Sequence, residues 1–80
     1  MNMANKNFEN YLETESLETA IEGISARMTL SEVKQYFTET LRDTNIDRDT
    51  AKQLIIKGIM NATGDVEMLR NEYIKIIKEL

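Results

Sequence analysis

The chain has no cysteine, no histidine, no proline and no tryptophan, and only three glycines in 80 residues. Each absence closes a route. Without cysteine there can be no disulfide, and without cysteine or histidine the usual zinc and iron ligand sets cannot be assembled. Without histidine, none of the three serines (Ser16, Ser25 and Ser31) has an imidazole to activate it. No glycine-rich loop is present to cradle a phosphate. Long apolar runs are missing too. The longest is Leu54-Ile55-Ile56, far short of the ~20 residues a spanning helix needs. Met1 to Asn10 is polar and does not read as a signal peptide. These absences point to a soluble protein of a reducing cytoplasm, without cofactor or metal and without membrane contact.

What is present favours helices. Charged residues make up 30% of the chain, and helix-forming residues run throughout. With so little glycine and no proline, this excludes a β-rich fold and argues against disorder. Frequent Asn, Lys and Ile are what an AT-rich genome produces, such as that of a Gram-positive bacterium or its mobile elements. Eighty residues fit one domain, 1–80. A core of that size supplies only about 3–5 kcal/mol by itself. With disulfides and metal excluded, close helix packing or self-association has to make up the rest.

The apolar spacing predicts an all-α fold: a small bundle or orthogonal array of four main helices at about 14–27, 30–42, 48–62 and 65–79. A short leading helix is expected at about 6–13, where Phe8, Tyr11 and Leu12 are spaced three and four apart, after a flexible arm at about 1–6. Leu17, Ile21, Ile24 and Met28 form one narrow stripe on the first main helix. Gly23 interrupts that stripe, either weakening the helix or admitting a close neighbour. The strongest local signal is Thr29-Leu30-Ser31-Glu32, the N-cap and N3 pair of a capping box, with Met28 and Val33 placed as a hydrophobic staple. The helix that starts there presents Val33, Phe37 and Leu41, with Leu30 and Tyr36 at the margin. Asp47 is placed to cap the next helix. That helix carries Ala51, Leu54, Ile55, Gly58, Ile59 and Ala62 on one broad face, and Ile56 and Met60 extend it. Gly64 suits a helix stop, and Asp65 suits a cap for the last helix. The seam of that helix is Val66, Leu69, Tyr73, Ile76 and Leu80, widened by Ile77.

Catalysis is not expected. Carboxylates are abundant, but a paired-carboxylate hydrolase needs a cleft that a chain of this length is too small to build. Asp43, Asn45, Asp47 and Asp49 alternate like calcium-loop ligands. The match ends at Arg48, where the loop needs glycine, and at Leu54, where it needs glutamate. The polar loop is better read as a connection and a helix cap.

Charge is distributed unevenly. Met1–Asp47 holds four basic and nine acidic residues, whereas Arg48–Leu80 holds six basic and five acidic, so the net charge of −4 belongs to the first half. Glu9, Glu13, Glu15, Glu18 and Glu22 follow one another with no intervening Lys or Arg. The plain explanation is a solvated face with acids in a first helical turn. The functional one is an acidic face for a basic protein partner. A second surplus is apolar. Ile56, Met60, Met68, Ile74 and Ile77 exceed what a small bundle need bury, and contiguous exposed apolar residues mark interfaces. Core and interface readings of these five weigh about equally. The expectation is a non-enzymatic protein-binding module that acts as a regulator or inhibitor and forms a homodimer through its last two helices. The alternative is a helix-turn-helix regulator that reads DNA through Arg48, Lys52 and Lys57. A loop too long for the tight turn, Asp49 near the start of the recognition helix and the acidic balance all weigh against nucleic acid.

Overall fold

The computed structural model describes residues 12–25 and 27–80. The expected arm, most of the expected leading helix, and Glu9 lie outside the described residues. Helix α1 covers 12–18 and passes through Thr19 into a 3-10 turn, Ala20–Gly23. Then follow α2 (Leu30–Asp43), α3 (Arg48–Asn61), α4 (Asp65–Met68) and α5 (Arg70–Glu79), with no strand among the described residues. The expected all-α bundle is what forms. α3 packs on α5 and on the 3-10 turn, and α2 packs on both α3 and α5.

The starts of α2 and α3 follow their sequence signals. Thr29 Oγ1 accepts from the Glu32 amide at 3.1 Å, and Glu32 Oε1 accepts from the Thr29 amide at 2.9 Å, closing the capping box. The Asp47 carboxylate accepts from the Thr50 amide at 3.0 Å. These backbone bonds hold both the Glu32 and the Asp47 carboxyls below their ordinary pKa. Gly64 has φ +81°, open to glycine and costly for other residues. Its amide is held by the Glu67 carboxylate at 3.1 Å. Gly64 is thus the cap of α4, and Asp65, expected in that role, is the first helical residue.

The first main helix is shorter than its apolar stripe implies. In a continuous α-helix, Ala20 O would accept from the Ile24 amide. Here the Tyr36 hydroxyl donates to Ala20 O at 2.7 Å, and Ile24 N turns to Ile21 O at 3.0 Å. Gly23 makes room for this, since a Cβ there would overlap the Tyr36 hydroxyl. Ile24 then goes extended, with ψ 128°. The stripe still serves its purpose. Leu17, Ala20 and Ile21 are buried, and Ile24 and Met28 pack against the core from non-helical backbone.

The last helix is also interrupted. Leu69 (φ −113°, ψ 15°) donates to Val66 O at 3.2 Å, an i to i−3 bond that bends the chain between α4 and α5. The seam is buried unevenly. Tyr73 and Ile77 become its buried centre, Val66, Ile76 and Leu80 are half-buried, and Leu69 is exposed. The core is one cluster, in which Val33, Phe37, Ile55, Ile59 and Ile77 are the largest fully buried side chains.

α3 and α5 run antiparallel, and basic side chains close each one's carboxyl end. Arg48 donates from Nε (3.1 Å) and Nη2 (2.7 Å) to the main-chain oxygen of Leu80, and Lys52 Nζ donates to Lys78 O at 3.1 Å. In return, Arg70 from α5 donates to Ile59 O at 3.2 Å and Ala62 O at 2.6 Å at the end of α3. Cations at helix carboxyl ends satisfy orphan carbonyls and meet the negative pole of the dipole.

Candidate functional site

The five apolar candidates do not form one surface. Ile77, placed both on the seam of the last helix and among the interface candidates, is 0% exposed and belongs to the core, one turn after buried Tyr73 on α5. Ile56 and Ile74 are half-buried and packed against that core. Met60 is 55% exposed on α3. Met68, on α4, is 86% exposed and lies beside Leu69 at a groove that none of the other four candidates lines.

The acidic candidates divide as well. The Glu13 carboxylate accepts from the Asn45 amide at 2.9 Å and from Thr44 Oγ1 at 3.4 Å, tying α1 to the loop between α2 and α3. Glu18 lies 3.8 Å from Lys57 Nζ. Glu15 and Glu22 are exposed. Of the three cations considered for DNA, Arg48 and Lys52 are occupied by α5 carbonyls and Lys57 faces Glu18.

A concavity is assembled where the 3-10 turn meets the end of α3 and the start of α4. It has two lobes that share Ile24 and Val66. One lobe, about 580 Å³, runs between Glu18, Glu22 and the stretch from Gly58 to Thr63. The other, about 470 Å³, is bounded by Ser25, Asp65, Met68, Leu69 and Tyr73. Its position follows from Gly58. A Cβ on that residue would overlap the Glu18 carbonyl oxygen, so α1 can dock on α3 only across a bare glycine. That contact brings the acidic first segment beside Val66.

The sequence reading missed Ile24, Val66, Leu69 and Asp65 as groove residues. Their spacing places Ile24, Val66 and Leu69 on helical stripes facing the core. The available signal was the set of local breakers, Gly23 and Gly64, on either side of the two segments. Among the described residues, no polar or charged side chain is buried, and no three carboxylates gather to hold a metal ion. No protein-family model matches the chain, and neither does any curated protein or solved structure.

Proposed function

We propose that this chain is a non-enzymatic protein-binding module, a small regulator or inhibitor that docks on its partner through the groove between the 3-10 turn and α4. The observation that carries the reading is the exposure of Met68 (86%) and Leu69 (41%) beside a floor of Ile24 and Val66. An unbranched thioether at the rim of an apolar depression adapts to the shape of an incoming side chain. Exposed apolar residues gathered around a depression mark contact surfaces, whereas isolated ones need no explanation.

The test is affinity capture with the intact chain and two variants of unchanged helicity. Leu69→Asp should lose a partner that the parent retains, and Met60→Asp, on α3, should keep it. Loss with Met60→Asp alone would move the interface to the other face. Self-association through α3 and α5 is the second reading, carried by exposed Met60 with half-buried Ile56 four residues earlier on the same helix. A strict monomer in light scattering at high micromolar concentration would remove it. DNA binding is disfavoured by the commitment of Arg48 and Lys52 to α5. A gel shift at about 50 mM salt that Arg48→Ala with Lys52→Ala abolishes would reinstate it.

A further inference from the structure

We infer that the occupant of the groove is a cationic segment of another protein, a short stretch rich in Lys or Arg that presents apolar side chains to Ile24, Val66 and Leu69. This rests on the docking reading above and adds the chemistry of the partner. Among the described residues, the charged side chains lining the two lobes are Glu18, Glu22 and Asp65, and all are acidic. Glu22 and Asp65 are exposed on opposite lobes, so they flank the shared apolar floor. Glu18 is partly answered by Lys57. The Arg70 guanidinium is turned to the carbonyls of Ile59 and Ala62 at the end of α3.

Three alternative occupants meet this rim badly. A second copy of the chain, net charge −4, would bring rim against rim in a two-fold pairing. Nucleic acid would set phosphates against carboxylates. A neutral apolar segment would fill the floor and leave the rim unanswered. A cationic amphipathic segment satisfies both parts. Apolar contacts would supply affinity, and the rim would steer the encounter and reject acidic competitors. Because the rim carboxylates stay in water, their contribution should be salt-sensitive.

The experiment is selection of random displayed peptides of about 16 residues on the full chain, followed by titration of the enriched peptides. The expected products carry net positive charge and at least two apolar residues. Their binding should weaken by more than about fivefold with Glu22→Lys plus Asp65→Lys, and should fall as salt rises from about 50 to 500 mM. It should also be lost with Leu69→Asp. Enriched peptides that are neutral or acidic, yet still lost with Leu69→Asp, would overturn the cationic partner and leave groove docking standing. No enrichment, or peptides indifferent to both sets of substitutions, would overturn both.

Discussion

Gly58→Ala sets two well-measured tendencies against each other. Gly58 lies inside α3, and in an isolated helix alanine would be favoured there by about 0.8–1 kcal/mol. The structure reverses the sign. The new methyl group would occupy the position of the Glu18 carbonyl oxygen, and the obstacle is backbone, which no rotamer change can move. Either the α1 end retreats by more than ~1 Å or α3 is displaced from its bed. Retreat of α1 loosens Leu17, Ala20 and Ile21, all buried in the core. Insertion of a methyl into a closed contact costs about 1–3 kcal/mol, and partial loss of burial of two large aliphatic side chains adds a comparable amount. Against the propensity gain, the net loss should be about 1–5 kcal/mol, a large share of the ~4–12 kcal/mol expected of a domain this size.

Thermal and urea unfolding followed by circular dichroism would measure this. A loss of about 2 kcal/mol lowers the Tm by roughly 8–16 °C in a domain of this length. Gly23→Ala serves as the comparison, because its added methyl meets the free end of the Tyr36 side chain. It should cost about the hydrogen bond from Tyr36 to Ala20, ~0.5–1.5 kcal/mol, and less than Gly58→Ala. A Gly58→Ala protein as stable as the parent, or more stable, would refute the docking of α1 across α3.

Two further outcomes concern the helix ends. Arg70→Ala removes two charge-assisted bonds to the end of α3 and should lower stability by ~1–2 kcal/mol in urea titration. Arg70→Lys should restore less than half of that, since an ammonium cannot place a planar fork on two carbonyls. The caps also set an acid limb. Glu32 and Asp47 have folded pKa values below their unfolded ones, so their contribution is complete above the ordinary carboxylate range and fades as pH falls through the lowered folded values. Glu32→Gln with Asp47→Asn keeps both cap acceptors and should flatten the decline of Tm with acidification while leaving the cooperativity of unfolding intact. An unchanged acid slope would show that these carboxylates are not linked to folding.

The fold was legible wherever a local signal decided it. The Thr29–Glu32 box, the Asp47 cap and the buried triplets Val33-Phe37-Leu41 and Ala51-Ile55-Ile59 follow from spacing alone, because capping and period act over three to five residues. The misreadings arose where a distant group competed with a local preference. Nothing near Ala20 says that a tyrosine sixteen residues away takes its carbonyl and ends the helix. The sequence likewise offers six basic residues in the second half without saying that Arg48, Lys52 and Arg70 close helix ends. Ile77 read as surplus although its spacing of four from Tyr73 put it on the seam, because spacing alone does not say which seam residue the neighbouring helices cover. The groove was illegible for the same reason. Its floor joins Ile24 to Val66, and each looked like part of its own stripe.

Part of each surplus seen in the sequence, Glu18 and Glu22 of the acidic set and Met68 of the apolar one, therefore meets at the groove through one contact. Docking of the α1 end over Gly58 places Glu18, Glu22 and Ile24 beside Val66, Met68 and Leu69. A binding prediction separates from the stability prediction. Well below its transition, where Gly58→Ala is almost wholly folded, the groove should still be misassembled, because the displaced element is one of its walls. Cationic peptides that bind the parent should bind this variant several-fold more weakly. Val33→Ala, a truncation on α2, away from the groove-lining residues, should lower the Tm and leave peptide affinity unchanged in the same temperature range. Equal weakening by both variants would mean that binding follows global stability. Undiminished binding to Gly58→Ala would mean that the acidic wall is not part of the site.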